Sequence, residues 1–493
     1  MLRKLRIVFA LIFFVGITLL FLDVSGVLHL YLGWMEKCQL LPAILSLSVV
    51  GFLLTIVVTL LFGRIYCSVI CPLGVLQDCF SWLGGKVKRH RFHYAKPRNW
   101  LRYVALAIFV LLMVLGINGL ALLFAPYSMF GRIAATLLQP VYVFFNNLLA
   151  MGAEHLNSYA FYTVETFEKG LLAIVVAVLS LLLIGFLSFR YGRLWCNTIC
   201  PVGSFLGLIS RFSLFAPVIN TDKCNGCTLC ARNCKSMCIN PENHTIDYSR
   251  CVACMDCISN CRQGAIRFQF RHFSRKKDVV SDGPVDASRR KFLSVSALFA
   301  ALGVRYRLRA AETPVDGGLA VIEQKKIPSR SVPLKPFGAL SLKHFSSHCT
   351  SCMLCMSECP SHILSPSKHL DSLLQPEINY VEGFCRPECT RCSQVCPTGA
   401  IKVITPEEKS AISIGHAVVI LDNCLSNRDG ISCGSCARHC PAGAIRMVPN
   451  VAGVKIPSVD ESRCIGCGAC EFYCPSRPLS AIYVEGRQVH TSV

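Results

Sequence analysis

Four stretches of the chain are almost free of charge: residues 7–22, 40–62, 101–124 and 170–189. All but the first are long enough to cross a hydrocarbon core of ~30 Å as a helix, and the pattern predicts four transmembrane helices. Residues 133–151 are also apolar, but Gln139, Pro140, Asn146 and Asn147 interrupt them. Those breaks favour an interfacial or re-entrant helix there over a fifth span. Arg3, Lys4 and Arg6 precede the first stretch, and Lys86, Lys88, Arg89, Arg91, Lys96 and Arg98 follow the second. Basic flanks of this kind mark the cytoplasmic side.

A repeat supports that parity. Gly63-Arg64-Ile65-Tyr66-Cys67-Ser68-Val69-Ile70-Cys71-Pro72-Leu73-Gly74 follows the second stretch, and Gly192-Arg193-Leu194-Trp195-Cys196-Asn197-Thr198-Ile199-Cys200-Pro201-Val202-Gly203 follows the fourth. Both copies fall on one membrane face if residues 133–151 do not cross. On a helical turn, Cys67/Cys71 and Cys196/Cys200 face one side. Together they offer a four-thiolate redox or metal site; the plainer alternative is a structural cap, since cysteine packs well and proline ends a helix.

Composition agrees with a membrane protein: 53% of residues are hydrophobic and 16% charged, with a formal net charge of +21. The basic residues flank apolar stretches rather than interleaving with aromatics, which argues against nucleic acid as a partner and for membrane lipid.

The 31 cysteines set the chemistry. Cys224, Cys227, Cys230 and Cys234 form one ferredoxin run, and Cys251, Cys254, Cys257 and Cys261 a second. Four more runs follow: Cys349, Cys352, Cys355, Cys359; Cys385, Cys389, Cys392, Cys396; Cys424, Cys433, Cys436, Cys440; and Cys464, Cys467, Cys470, Cys474. Iron–sulfur clusters need soft thiolates, and this short spacing lets one loop cover three corners of a [4Fe–4S] cluster while its fourth cysteine ligates another. Disulfides and structural zinc fit the three-plus-one spacing poorly. In the first domain Cys261 joins Cys224, Cys227 and Cys230, and Cys234 joins Cys251, Cys254 and Cys257. Cys238 is left over, as a buried free thiol or a substitute for Cys234. Cys38 and Cys79 read as packing residues, and the histidines as surface or interfacial groups. No haem-attachment motif or nucleotide-binding glycine fingerprint is present.

The fold class is therefore mixed: an α-helical membrane domain with two α+β bacterial ferredoxin-like domains. Residues 1–215 form the membrane domain, 216–270 a two-cluster ferredoxin domain, 271–345 a linker and 346–493 a four-cluster ferredoxin domain. Within the linker, Ser288-Arg289-Arg290-Lys291-Phe292-Leu293 opens a short apolar run that ends at Val304. It reads as a twin-arginine export signal, with cleavage fitting near Ala310-Ala311; a basic linker with a small buried helix is the alternative.

These motifs carry a resemblance. Residues 1–270 resemble the NapH-type membrane quinol dehydrogenase, through the four helices, the two Cys-x-x-x-Cys-Pro motifs and the two-cluster ferredoxin. Residues 285–493 are similar to the NapG-type ferredoxin, through the twin arginines, Cys385-Arg386-Pro387-Glu388-Cys389, and Asp422-Asn423-Cys424 with its long gap to Cys433. The resemblance implies both subunits fused in one chain. It would be a bacterial inner-membrane protein that oxidises quinol from the quinone pool and passes electrons through six [4Fe–4S] clusters to a periplasmic terminal reductase or cytochrome. The first ferredoxin domain would be cytoplasmic and the C-terminal one periplasmic. Pro126-Tyr127-Ser128-Met129-Phe130-Gly131-Arg132 is a candidate quinol pocket, with a lipid-interface anchor as the alternative. The resemblance further implies that outer runs pair with each other and inner runs with each other. Cys474 would then complete the Cys349 run, Cys359 the Cys464 run, Cys440 the Cys385 run and Cys396 the Cys424 run; sequential pairing is the alternative. The wider family also contains assembly and redox-sensing or metal-reducing ferredoxins, which remain a second functional class for this chain.

Overall fold

The computed structural model describes residues 1–88, 92–155, 161–165, 169–271, 323–450 and 453–493. The twin-arginine segment lies outside the described residues. Helices Leu2–Leu22, Pro126–His155 and Leu171–Tyr191 are long and apolar enough to cross a membrane, and Val49–Phe62, Asn99–Val114 and Pro201–Ser210 are shorter apolar helices. Val50, Leu54, Leu111, Leu179 and Phe186 on these helices are exposed, an outer surface suited to lipid.

Three expectations need correction. Residues 40–62 are not one helix but Leu40–Leu45 and Val49–Phe62, separated at Leu47, whose φ is 54°. Residues 101–124 divide into Asn99–Val114 and Asn118–Leu122 around Gly116, whose φ of 78° suits glycine. By contrast, Pro140 does not break its helix. Residues Ala134–Leu138 just before it are π-helical, and that wider turn relieves the clash between a proline ring and the preceding turn.

The first helix joins the two cysteine-rich domains. At its start Arg3 Nε donates to Asp256 Oδ1 at 2.8 Å, and just past its end Arg391 Nη1 donates to Val24 O at 3.0 Å. Its 21 residues separate those ends by ~32 Å, at about 1.5 Å per residue. The next segment returns, from Leu41 packed beside Leu122 to Leu60, whose carbonyl accepts from Leu214 N. The third runs from Arg102 on Ser249 to Asn118, whose side chain donates to Ser346 O at 2.8 Å. The fourth, Leu171–Tyr191, ends where Arg193 N bonds Lys235 O. The chain thus passes four times between the two cysteine-rich domains. Helix Pro126–His155 is not one of these passages: Ser128 donates to Thr350 O and Gln139 to Ser357 O, both in the second domain. Lys169, beyond that helix, returns to Ala135 O at 2.6 Å and Gln139 Oε1 at 2.6 Å.

Among the described residues, five two-stranded antiparallel sheets brace the cysteine-rich domains. Phe215–Ile219 pairs with Ile266–Phe270 in the first, and Ile412–Val419 with Ile482–Ser492 in the second.

Asp78, on the helix Pro72–Lys88, ties the membrane domain to the first cluster domain. It accepts from Arg6 at 3.1 Å, Arg193 at 2.8 Å and Lys235 at 2.8 Å, and Lys235 also meets Asp256 at 3.1 Å. Arg193 and Lys235 are buried, so removing Asp78 leaves Arg193 without a carboxylate partner and Lys235 with Asp256 alone. Asp78→Ala is expected to cost ~3–5 kcal/mol, read as a lowered denaturation midpoint in detergent.

Candidate iron–sulfur and thiolate sites

The cluster loops share a backbone device. In Cys224–Cys230, Cys251–Cys257, Cys349–Cys355 and Cys464–Cys470, the residues on either side of the middle cysteine have positive φ: Gly226 and Thr228, Ala253 and Met255, Ser351 and Met353, Gly466 and Gly468. Two left-handed residues in each loop turn three thiols inward. For non-glycine residues this conformation costs about 1–2 kcal/mol each, a strain typical of ligand-binding loops.

In the first domain the thiols fall into two groups. Cys224, Cys227, Cys230 and Cys261 line one small cavity. Cys234 interacts electrostatically with Cys251, Cys254 and Cys257. In the second domain the pairing implied by the resemblance is overturned. Cys424, Cys433, Cys436 and Cys474 line one cavity. Cys396 neighbours Cys349, Cys352 and Cys355, while Cys359 neighbours Cys385 and Cys392. Cys440 neighbours Cys464, Cys467 and Cys470. Fourth cysteines are therefore exchanged sequentially, the first run with the second and the third with the fourth.

These pockets suit clusters better than zinc. A zinc ion holds sulfurs at ~2.3 Å, hence roughly 3.8 Å from one another. Among the described residues, no three cysteines bring their sulfurs within 4.8 Å of one another. Backbone N–H groups donate to the sulfurs, Ala265 to Cys261 at 3.3 Å, Ala444 to Cys440 at 3.3 Å and Ala481 to Cys474 at 3.3 Å, as anionic thiolates favour.

Cys67, Cys71, Cys196 and Cys200 are all buried and gather in one place. The repeats hold each other by exchange. Arg64 of the first donates to Cys196 O of the second at 3.0 Å, and Arg193 of the second donates to Cys67 O of the first. Gly74 and Gly203 leave room for this, since a Cβ on either would strike the facing cysteine carbonyl. Gly203 N donates to Cys200 Sγ at 3.3 Å, as at the cluster cysteines. Arg64 is fully buried and also bonds Asn197 Oδ1 at 2.8 Å and Ser249 O at 3.1 Å, with Cys67 Sγ at 4.0 Å. Its oxygen partners are neutral, so its charge needs compensation that ligated thiolates would supply. Ser249 lies just before Cys251 of the first domain. On the other side Tyr66 donates to Gln39 Oε1 at 3.0 Å, and Tyr127 and Glu36 lie close to Cys352 of the second domain.

Pro126–Arg132 is wholly buried beneath the second cluster domain. It does not line the large apolar cavity of the membrane domain, so that cavity lends the quinol-pocket assignment no support. The cavity, of about 600 Å³, lies among Leu41, Phe52, Phe109, Pro201, Val202 and Phe205, almost entirely apolar. Sequence reasoning missed it because its walls come from two predicted spans and the end of the second repeat, which lie far apart in the chain. Cys238 is buried as expected, but it is not idle: its thiol lies 3.5 Å from Cys234 Sγ.

Comparison with known proteins agrees on the cofactor. A 4Fe–4S binding domain model matches residues 46–90 and 172–218, which contain both Cys-x-x-x-Cys-Pro repeats, and a 4Fe–4S dicluster domain model matches residues 431–477. The ferredoxin-type protein MauM of Methylophilus methylotrophus, a methylamine utilization protein, is 35% identical over 173 residues, covering 32% of this chain and 74% of MauM. The chain belongs to this family of ferredoxin-type proteins. MauN of Paracoccus denitrificans is 29% identical, over 44% of this chain and 59% of MauN. NapH of Haemophilus influenzae is 23% identical, over 46% of this chain and 69% of NapH. No solved structure matches. The chain is thus a ferredoxin-type protein with 4Fe–4S domains, and its candidate spans are those of a membrane protein.

Hydrogen bonds to cluster sulfurs raise the reduction potential. Cys238→Ala is expected to keep the Cys251 cluster but shift its potential negative by tens of millivolts, read by redox titration followed by electron paramagnetic resonance.

Proposed function

We propose that the chain is a membrane electron conduit that joins a NapH-type quinol dehydrogenase to a NapG-type ferredoxin and feeds a terminal reductase. The observation that carries this reading is the order of thiol sites. The cysteine-rich domain with two runs stands at one end of the first helix, the one with four runs at the other, and the four repeat cysteines are buried between them.

Bound clusters would each pass one electron, which splits the two electrons of a quinol. The repeat cysteines supply thiolates where a direct hop across ~32 Å would be too long. Arg64 balances negative charge on them, and Asp78 keeps Arg193 in place. The cavity of about 600 Å³ suits the apolar body of a quinol, and one of its walls, Pro201, directly follows Cys200.

Six ferredoxin runs alone hold about twenty-four irons, and a further [4Fe–4S] cluster on the repeats raises this to about twenty-eight. Anaerobically purified protein is expected to reach the higher value. With Cys67 and Cys196 changed to Ser it should lose about four irons, and quinol should no longer reduce the C-terminal clusters. Twenty-four irons in both proteins, with unchanged reduction, would refute the relay.

Two domains at opposite ends of a membrane helix also favour opposite faces. Reporter fusions after Arg271 and after Val493 are expected to give a cytoplasmic and a periplasmic signal, the latter lost when Arg289 and Arg290 become Lys. Cytoplasmic signals at both would favour the assembly or redox-sensing class.

A further inference from the structure

Three side chains from two distant parts of the chain meet where the first helix ends against the second cluster domain. Asp23 caps the helix Leu2–Leu22, His29 lies on the short helix Val27–Leu32, and Glu358 precedes the cluster cysteine Cys359. Their ligand atoms lie within 4.8 Å of one another. His29 Nδ1 stands 3.4 Å from Asp23 Oδ2 and 3.6 Å from Glu358 Oε1.

The group is built rather than incidental. Asp23 is fixed by hydrogen bonds from Ser25 N at 2.9 Å, Ser25 Oγ at 2.8 Å, Gly26 N at 3.0 Å and Leu28 N at 2.8 Å. Glu358 is 2% exposed, yet neither of its carboxylate oxygens has a hydrogen-bond partner, and His29 Nε2 is likewise buried without one. A buried carboxylate with both oxygens unsatisfied is costly unless something cationic meets it. Glu36, 2% exposed, is near enough to interact with Glu358, and burial pushes its carboxyl toward the neutral form. Arg391 interacts with Glu358 as well, but its Nη1 is directed to Val24 O.

We propose that Asp23, His29 and Glu358 bind a divalent transition-metal cation that clamps the C-terminal cluster domain to the first membrane helix. Two carboxylates and one imidazole are a donor set for Mn(II), Fe(II) or Zn(II), with open positions left for water. The hydrogen bonds around Asp23 are the outer support such a ligand needs. The site has no cysteine, so it is distinct from every cluster pocket, and it does not depend on the electron route.

The test uses the full chain in detergent, cluster-loaded and stripped of loose metal by a chelator. Mn(II) is titrated in, and the six-line signal of the free ion is followed by electron paramagnetic resonance. The expected result is one Mn(II) bound per chain, displaced by Zn(II). Glu358→Gln and His29→Gln should each weaken binding at least tenfold, with iron content unchanged. His29→Gln leaves both carboxylates in place, so it guards against misfolding of the Glu358 variant. Absence of saturable Mn(II) binding, or equal binding by wild type and His29→Gln, would overturn the proposal and leave the group as a His29 ion pair. A variant that loses iron is replaced by Asp23→Asn, read by the same criterion.

Discussion

The arginine exchange between the two repeats is the contact on which the membrane domain turns. Each Gly-Arg supplies a guanidinium to the backbone of the other copy's first cysteine, and each Pro-x-Gly clears the space it needs. Neither half is complete alone. The four thiols gather only when both copies are folded and the segments between them have passed through the helical body. Burial makes this demanding: Arg64 and Arg193 are both wholly inside, where an unpaired cation is worth several kcal/mol against folding. Asp78 answers for Arg193, whereas Arg64 finds neutral oxygens and a thiol. The structure therefore asks for negative charge at the cysteines themselves, which ligated thiolate provides and a plain cap does not.

The cysteine runs and the repeat were legible from sequence because their information is local. Three cysteines on one loop, with residues that tolerate positive φ between them, declare a cluster corner set before any tertiary contact forms. The Gly-Arg and Pro-x-Gly flanks of the repeat were visible too, although their role was not, since it lies in a contact between copies far apart in the chain. The fourth-cysteine pairing failed for the same reason. Which distant run supplies Cys359 or Cys396 depends on how short sheets and loops stack, and spacing carries no record of that.

Helix boundaries went astray in both directions. Leu47 and Gly116 each adopt positive φ and interrupt stretches that hydropathy alone runs together. Pro140 should end a helix, but a π-turn upstream absorbs it. Gln139, Asn146 and Asn147 bond the second domain and the returning chain, although the helix that carries them, Pro126–His155, is long and apolar enough to cross a membrane. The triad of Asp23, His29 and Glu358 left no sequence signal, as its third member lies in another domain.

Charge is distributed unevenly along the axis that the four passages define. Near the first cluster domain and the repeats the buried groups are mainly cationic: Arg64, Arg102, Arg193 and Lys235. Near the second domain buried groups of both signs meet, Asp23, Glu36 and Glu358 beside Arg132, Lys169, Lys335 and Lys409. A buried cation favours the reduced form of a nearby cluster and a buried anion disfavours it, because reduction adds negative charge. Glu36 lies directly beside Cys352, so the charge state of that one carboxyl bears on the step into the second set of clusters. The cation inferred between Asp23, His29 and Glu358 adds positive charge near that step. Besides holding the domain to the helix, it would lower the electrostatic step into the second set of clusters, so the same three side chains link assembly of the conduit to its ability to conduct.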